Sequence, residues 1–423
     1  MAESKKHTCI DLFAGAGGLS LGLEMAGFKP LLCCEVNDSA RETYMANREG
    51  EGIVEFSDIK SLTNSKLKKH MEEWPDEVDL VCGGPPCQGY SGIGIRRTFS
   101  ELQKQDVPGN HLYREMIRVI KCVKPKMFLF ENVRGLLTSR WTSDAPKGSI
   151  FRSVLNELNR IPGYEVEWQL IRAKEYGVPQ NRPRVLVVGI RKDILEASSV
   201  KYDKKPKKVD KEGLPPFEGR AVELGFLPQP SKRKPPSITE LLSDLVDPRY
   251  RDVDQTTKYP KDATSDIQKW LRGKKPEMCK KGYPLKEQEY SKHRPEIVEK
   301  FDYMIKNKGE IPPEMQTKKF AQRVLPSGPW GKQGPTITAT SLPDDYVHYK
   351  QPRIPTVREW ARIQTFPDWY EFMGKRTTGG RRRAGDPGKG EWEREVPKYT
   401  QIGNSVPVLL AKAIGEHLRL ISD

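Results

Sequence analysis

A single cysteine stands at the tip of a rigid turn in the segment VDLVCGGPPCQGYSG, residues 78–92. Two glycines end an apolar run, and Pro85 and Pro86 follow directly before Cys87. Two prolines fix φ and remove two backbone donors, so the turn has few alternative conformations. A thiolate held in this way is a nucleophile that adds to electron-poor double bonds. A cysteine is more often a buried, inert side chain, but the flanking glycines and prolines favour a positioned nucleophile.

A second polar pair ends the apolar run MFLFENV, residues 127–133. Glu131 and Asn132 are expected at the same sheet edge as Cys87. A carboxyl group there can exchange a proton or a hydrogen bond with a substrate, whereas a helix cap is the structural alternative.

Two arginines alternate with other residues in YGVPQNRPRVLVVGIR, residues 176–191. Because side chains alternate along a strand, Arg182 and Arg184 are predicted to share one face. Two forked donors on one face suit an anionic or carbonyl-bearing ligand, and surface arginines beside a strand are the alternative.

A glycine-rich turn follows the first apolar run, in DLFAGAGGLSLG at residues 11–22. Gly15, Gly17 and Gly18 permit positive φ and let a ligand approach the backbone. The glycines do not have the GxGxxG spacing, so this turn alone is a weak indication of a nucleotide site.

Acidic residues end the next two strand regions. Glu35 lies twenty residues after Gly15, where a carboxylate can hold two ribose hydroxyls. Asp58 can accept from an adenine amino group, while Ile59 packs on the ring. The turn and the two acids predict a site for an adenosine-containing cofactor, and an NAD-dependent dehydrogenase remains open at this point.

Short apolar runs alternate with helix-like segments over residues 7 to 191. The runs are TCIDLFA, PLLCCEV, VDLVCGG, MFLFENV and RVLVVGIR. The intervening segments have apolar residues spaced near 3.6, as in YREMIRVIKCV. This alternation is typical of a parallel, doubly wound α/β sheet, which binds ligands at its carboxyl edge.

The character of the chain changes at about residue 196, where prolines become frequent and apolar periodicity fades. We predict a catalytic and cofactor-binding domain at 1–195 and a loop-rich second domain at 196–350. A hinge helix and basic loop follow at 351–400. A C-terminal helix at 401–423 is expected to return to the first domain, because one face of it is apolar.

The 423 residues include 72 lysines and arginines against 57 acids, giving a formal net charge of +15. Four basic runs lie after residue 195, which favours a polyanionic partner. Nucleic acid is the first candidate for this partner, and an acidic membrane is the second.

The sequence lacks a membrane-spanning apolar stretch and the apolar region of a signal peptide. Seven cysteines without metal-ligand clustering indicate reduced thiols. These features predict an intracellular protein without a metal site.

The ordered motifs of the chain resemble those of the cytosine-5 DNA methyltransferases. The motifs are DLFAGAGG, CCEV, SDI, GGPPCQGYS, ENV, QNRPR, REWARIQTFP and QIGNSVP. The resemblance spans residues 8 to about 372 and 400 to 420. It implies a Rossmann-like S-adenosylmethionine-dependent methyltransferase fold, with a doubly wound mixed sheet and a smaller target-recognition domain at 196–350. It also implies methyl transfer from S-adenosylmethionine to carbon 5 of cytosine in double-stranded DNA.

Catalytic roles follow from the positions of the motifs. By resemblance, Cys87 adds to carbon 6 of a cytosine flipped out of the duplex, and Glu131 protonates or hydrogen-bonds ring nitrogen 3. Arg182 and Arg184 match the pair that orients the pyrimidine carbonyl and the acid. Residues 88–110 resemble the loop that closes over the flipped base.

The resemblance also implies a cofactor site. Its residues are Phe13, Gly15, Gly17, Gly18, Glu35, Val36, Asp58, Ile59, Pro85, Leu112, Asn404, Ser405 and Val406. Val36 stands where the family often has a tryptophan, so a smaller contact with adenine is expected.

Three functions are weighed on the sequence. The first is a sequence-specific modification enzyme of a prokaryotic restriction–modification system, cytoplasmic and monomeric, with a cognate restriction endonuclease as a functional partner. The second is an RNA (tRNA) cytosine-5 methyltransferase, against which the long middle domain argues. The third is a catalytically inactive DNA-binding homologue, against which the intact Cys87, Glu131 and Arg184 argue.

Two further segments bear on the resemblance. PTITATS, residues 335–341, resembles the core of a target-recognition domain, whereas the basic insert at 374–398 departs from the compact family pattern.

Overall fold

A seven-stranded sheet forms the core of the first 191 residues in the computed structural model. The structure describes residues 7–74, 77–86, 108–142, 144–198, 200, 219–231, 234–273, 275–316, 322–328, 335–337, 345–377 and 396–423. The strands of this sheet are β1 (His7–Leu12), β2 (Phe28–Cys34), β3 (Val54–Phe56), β4 (Leu80–Gly83), β5 (Met127–Val133), β6 (Tyr164–Arg172) and β7 (Pro183–Arg191). Their order is β3-β2-β1-β4-β5-β7-β6. The predicted runs all lie in strands of this sheet.

The sheet is mixed, as the family resemblance implies, because one strand runs against the others. Strands β1 to β5 pair in parallel, whereas β7 is antiparallel to both β5 and β6. The all-parallel sheet that periodicity favours is therefore wrong at β7. The reversal has a direct consequence, since the start of β7 now lies beside the carboxyl end of β5.

Helices cover the two faces of the sheet and continue into the second half of the chain. They are α1 (Gly18–Met25), α2 (Asp38–Ala46), α3 (Asn64–Glu73), α4 (Tyr113–Val123), α5 (Ser149–Asn159), α6 (Lys192–Ala197), α7 (Ile238–Leu242), α8 (Asp266–Arg272), α9 (Pro295–Lys306), α10 (Val357–Ile363), α11 (Lys398–Asn404) and α12 (Val408–Ser422). A short parallel pair, β8 (Arg323–Val324) and β9 (Tyr346–Val347), lies apart from the main sheet.

Alternate residues of each central strand enter opposite cores, as the two-residue period of a strand requires. Ile10 of β1 packs with α4 and α5 on one face. Cys9 packs with α1 and α12 on the other. The last helix of the chain thus contacts the first. The division into domains, with its exact boundaries, stays a prediction.

Buried ion pairs fix α10 among its neighbours. Arg362 lies 2.6 Å from Asp244 and 2.6 Å from Asp368. Arg353 lies 2.6 Å from Glu359, which also caps α10 through Thr356. Burial raises the pKa of the Glu359 carboxyl, but the charges of Arg353 and His348 outweigh it and lower the value to about 2. A charged carboxylate therefore anchors this helix at neutral pH.

Strand β6 is the strand of the main sheet that the sequence analysis did not predict. Its sequence, YEVEWQLIR, alternates polar and apolar residues, so it lacks the continuous apolar run of the central strands. It lies at the edge of the sheet, beside β7. Within the residues described, none of the helices has the length and apolar character needed to cross a membrane.

Candidate active site

A buried ion pair joins the end of β5 to the start of β7. Val133 pairs with Arg184 in the antiparallel register, so the arginine lies two register positions beyond the Glu131–Leu186 pair. Nε of Arg184 forms an ion pair with Oε1 of Glu131. Glu131 is 9% exposed and Arg184 is 4% exposed. A carboxylate that is this buried needs such a partner, and the antiparallel strand supplies it.

The same carboxylate faces the turn that leads to Cys87. A Cβ built on Gly84 would lie 2.7 Å from Oε2 of Glu131, so only glycine leaves room for the acid. Nδ2 of Asn132 donates to the Pro85 carbonyl oxygen at 3.1 Å, which ties the turn to β5. Both residues of the Glu131–Asn132 pair therefore contact or face the turn.

The close approach at Gly84 gives a first prediction. Gly84→Ala should displace the Glu131 carboxylate, because the end of a flexible side chain moves more easily than backbone. If Glu131 acts on the substrate as the family resemblance implies, kcat should fall by about tenfold to a hundredfold, since displacement of a reacting group by an ångström has costs of this order. Steady-state kinetics measures the fall.

Gly328→Ala is the matched control, because a Cβ at Gly328 meets no described atom within 4 Å. Unchanged kcat in Gly84→Ala, in protein with an unchanged melting temperature, would contradict this placement of the carboxylate.

Several sequence predictions lie outside the described residues. They concern Cys87 itself, most of the loop 88–110, most of the basic insert 374–398 and the end of PTITATS. The structure describes the turn that precedes Cys87 as far as Pro86.

Arg182 joins three segments rather than pairing with the acid. Its Nη2 donates to the Gly403 carbonyl oxygen at 2.5 Å, and its Nη1 donates to the Ile337 carbonyl oxygen. Burial lowers the pKa of Arg182, the charge of Arg184 lowers it further, and Glu131 raises it. The two arginines thus have different surroundings, although the sequence treats them as a pair.

Residues 335–337 dock directly on the strand start that carries these arginines. Oγ1 of Thr336 donates to the Asn181 carbonyl oxygen at 2.8 Å, and the Asn181 N–H donates to the Pro335 carbonyl oxygen at 3.0 Å. Gln180, which is fully buried, accepts from the Ile337 N–H at 3.1 Å and donates to Gln364 at 2.6 Å. The sequence analysis did not predict this connection between the motifs QNRPR and REWARIQTFP.

The glycine turn lies at the carboxyl end of β1. Phe13, half-buried, and Gly15 both have positive φ, of 59° and 55°. Gly17 has a φ of 77° and precedes α1, which begins at Gly18. A Cβ built on Gly15 would meet no described atom within 4 Å, so the described part of the chain leaves space over the turn.

Glu35 joins the glycine turn to the end of β2. Its Oε2 accepts from the Gly15 N–H at 2.8 Å, and its Oε1 accepts from the Asn37 N–H at 2.9 Å. Burial raises the pKa of the Glu35 carboxyl, and these two backbone donors oppose the rise. Each oxygen keeps a further lone pair that can accept from a ligand hydroxyl.

The residues expected around an adenine differ in exposure. Val36 is 72% exposed, which is unusual for an apolar side chain at a strand end. Asp58 is exposed and accepts from the Lys60 N–H at 2.9 Å, whereas Ile59 is 3% exposed and belongs to the core. Val36 and Asp58 are thus accessible to a ligand, while Ile59 lies beneath the surface.

The C-terminal motif lies against the glycine turn. A Cβ built on Gly18 would lie 2.6 Å from the Val406 carbonyl oxygen and 3.0 Å from Cβ of Ser405. Ser405 and Val406 are buried, and Asn404 is exposed. Leu112, half-buried, precedes α4, and Pro85 is buried in the turn before Cys87.

Three features of this edge form a cradle that fits an adenosine-containing cofactor with an amino-acid end. They are the space that the described residues leave over Gly15, the carboxylate of Glu35 at the end of β2, and the exposed side chain of Val36. Among the described residues, no cluster of His, Cys, Asp or Glu side chains could hold a metal ion. A doubly wound mixed sheet with this cradle at its carboxyl edge defines an S-adenosylmethionine-dependent methyltransferase fold.

Comparison with known proteins gives the family. A family model for C-5 cytosine-specific DNA methylases matches residues 7–419. The type II methyltransferase M.DdeI of Desulfomicrobium norvegicum is 31% identical, over 97% of this chain and 88% of that protein. The type II methyltransferase M1.HphI of Haemophilus parahaemolyticus is 30% identical, over 97% of this chain and 86% of that protein. The chain belongs to the C-5 cytosine-specific DNA methylase family, whose cofactor is S-adenosylmethionine.

A solved structure has the same fold. It is described as a DNA modification methyltransferase encoded within a prophage of E. coli. Its TM-score is 0.65, with 22% sequence identity and 98% of each chain covered. Family and fold together confirm the predicted DNA cytosine-5 methyltransferase, and they do not favour the RNA-directed or inactive alternatives.

Proposed function

We propose that this enzyme transfers the methyl group through Cys87, Glu131, Arg182 and Arg184, on a cytosine flipped out of duplex DNA. The observation that carries the proposal is the buried Glu131–Arg184 pair, whose carboxylate faces the turn three residues before Cys87. Three residues of chain span at most about 10 Å, so the thiol and the carboxylate can reach one pyrimidine ring.

The proposed chemistry needs two groups acting on opposite sides of the ring. The Cys87 thiolate forms a bond from sulfur to carbon 6, while Glu131, in its protonated form, gives a proton or a hydrogen bond to nitrogen 3. The electron pair of the carbon 5–carbon 6 double bond then becomes available at carbon 5. S-adenosylmethionine, when bound, supplies the methyl group as an electrophile. The carbon 5 proton then leaves to a base such as water, and the sulfur–carbon bond breaks with its electron pair returning to sulfur. Nitrogen 3 returns its proton to Glu131, so the aromatic ring, the thiolate and the acid are restored.

The two arginines have separate parts in this proposal. Arg184 holds the Glu131 carboxylate in place by its ion pair. Arg182 joins residues 335–337 and 403 to β7 and so positions the wall of the site. Its contacts with backbone carbonyls support a positioning role, in addition to the orientation of the pyrimidine carbonyl that the family pattern implies.

The cofactor is proposed to lie over the glycine turn at the carboxyl edge. Glu35 would hold the ribose hydroxyls, Asp58 the adenine amino group, and Val36 the adenine ring. Ile59, which is buried, would support the adenine site from beneath. The turn would hold the methionine end. The remaining wall is assigned to Phe13, Gly15, Gly17, Gly18, Pro85, Leu112, Asn404, Ser405 and Val406.

DNA recognition is proposed for residues 196–350, on the basis of their basic runs and of the docking of 335–337 on the catalytic strand. Lysines and arginines of these runs would contact phosphates, while other side chains read base edges. Residues 1–195 would form the catalytic domain, 351–400 the hinge helix and basic loop, and 401–423 the helix that returns to it.

The biological setting is a further part of the proposal. The matched relatives are named type II methyltransferases, which supports a modification enzyme of a restriction–modification system. We propose a monomer in the cytoplasm of a prokaryote, with a cognate restriction endonuclease as its functional partner.

Methyl transfer to defined nucleic acids tests the proposal. Purified protein is incubated with S-adenosylmethionine labelled in the methyl group and with genomic duplex DNA or tRNA, and the products are digested to nucleosides. Label in 5-methyldeoxycytidine from the DNA is the expected result. Label only in tRNA, or only at another position of the base, would contradict it.

A further inference from the structure

We infer that Tyr370 is a positioning residue for the cofactor site, because its hydroxyl holds the glycine turn at Ala16, between two glycines with positive φ. The inference rests on the proposed role of this turn in binding S-adenosylmethionine. Tyr370 lies 354 positions from the turn in the sequence, and no motif of the turn indicates it.

The central contact is a hydrogen bond to the turn itself. The Tyr370 O–H donates to the Ala16 carbonyl oxygen at 2.7 Å. Ala16 lies between Gly15 and Gly17, and both glycines have positive φ. Tyr370 is fully buried, so solvent cannot replace this bond if the hydroxyl is removed.

An arginine completes the support behind the turn. Nη1 of Arg48 donates to the Tyr370 hydroxyl oxygen at 3.1 Å, and its Nη2 donates to the Gly17 carbonyl oxygen at 3.4 Å. Its Nε pairs with Glu24 at 2.6 Å. Donation from a charged guanidinium polarises the Tyr370 O–H and strengthens its bond to Ala16.

Side chains pack closely against the turn at Gly17. A Cβ built on Gly17 would lie 2.8 Å from the Tyr370 hydroxyl oxygen, 2.9 Å from Nη1 of Arg48 and 2.9 Å from Cδ2 of Tyr44. A Cβ built on Gly15, in contrast, would meet no described atom within 4 Å. The turn is therefore closely packed at Gly17 and accessible at Gly15, where the cofactor is proposed to bind.

Tyr370 is itself held by two elements. Nη2 of Arg358, on α10, donates to the Tyr370 carbonyl oxygen at 3.0 Å. The next residue, Glu371, exchanges two hydrogen bonds with Asn47 just beyond α2, of 2.8 and 2.9 Å. Burial raises the pKa of the Tyr370 hydroxyl, so it stays protonated and remains a donor. The backbone of Tyr370 thus bridges α10 and the end of α2 while its side chain supports the turn.

Tyr370→Phe tests the inference, because it removes the hydroxyl and keeps the ring among its apolar neighbours. The dissociation constant of S-adenosylmethionine is measured by calorimetric titration of the full-length protein without DNA, together with the melting temperature. The matched control is Tyr176→Phe, since Tyr176 is also buried and donates to a backbone carbonyl, that of Pro228, at 2.9 Å, away from the turn.

We expect Tyr370→Phe to raise the dissociation constant of S-adenosylmethionine by about threefold to tenfold, the effect of losing one buried hydrogen bond. Its kcat at saturating cofactor should stay within about twofold of that of the unsubstituted protein, while KM for the cofactor rises. Tyr176→Phe should leave the dissociation constant unchanged.

A dissociation constant within twofold of the original in Tyr370→Phe, or an equal rise in both variants, would overturn the inference. Tyr370→Phe protein with a lowered melting temperature and normal cofactor affinity would show a purely structural role and overturn it too. Failure of the proposed function is read separately, from the unsubstituted protein, which would then not bind S-adenosylmethionine at all.

Discussion

Cys87→Ala is expected to abolish methyl transfer, with a fall in kcat of about 10⁴-fold or more, as when other covalent nucleophiles are removed. Without a sulfur–carbon bond, carbon 5 of cytosine stays part of an aromatic ring and does not attack an electrophile. DNA binding should remain within about tenfold, because contacts with phosphates dominate affinity. Labelled methyl transfer and a DNA titration at one fixed salt concentration measure the two effects.

Cys122→Ala is the matched control. Cys122 lies on α4 and is half-buried, so it is a partly accessible thiol outside the proposed site. Its replacement should leave the rate unchanged. Turnover retained by Cys87→Ala would remove Cys87 from the mechanism, and a loss of turnover in both variants would point to a general requirement for reduced thiols.

Glu131→Gln is expected to cause the second large fall in kcat. The amide cannot give a proton to nitrogen 3, and it also loses the ion pair with Arg184. General acid catalysis contributes about 10²- to 10⁴-fold to a rate, and we expect kcat to fall by that factor. Affinities for DNA and for S-adenosylmethionine should change little, since neither the phosphate contacts nor the glycine turn involves this side chain. Single-turnover kinetics separates the chemical step from binding.

Glu167→Gln provides the comparison, because Glu167 of β6 is also 9% exposed but lies on the edge strand. It should retain the original rate. A rate for Glu131→Gln within threefold of the original, in protein that melts normally, would show that the acid does not act on the base.

Local patterns were sufficient to predict the central strands and the strand-end residues. Apolar runs indicated β1, β2, β4, β5 and β7, and a strand end is a reliable place to expect a polar side chain at a ligand-binding edge. The direction of β7 was not accessible in this way, because an apolar run reads the same in a parallel or an antiparallel strand. Direction matters here, since only the antiparallel β7 brings Arg184 to Glu131.

Sequence patterns do not predict the contacts between segments that are distant in the chain. Tyr370 and Arg48 are 322 positions apart, and neither stands in a pattern that indicates the other. Gln180 and Gln364 are likewise 184 positions apart. Such pairs form because separately predicted elements pack together, and periodicity reports only which face of an element is buried. The arginine pair shows the same limit, because its two members share a motif but have different partners.

Covalent trapping on a modified base tests the central claim most directly. Duplex DNA is synthesised with 5-fluorocytosine in place of cytosine, so the unknown recognition sequence is present in trappable form. A fluorine at carbon 5 cannot leave as a proton does, so the sulfur–carbon bond persists after methyl transfer. We expect a denaturation-resistant complex of protein and DNA that requires S-adenosylmethionine, whose cross-linked peptide contains Cys87. If active protein never forms such a complex when the methyl donor is supplied, or if the Cys87→Ala variant forms it equally well, attack by this thiol on the flipped base is contradicted.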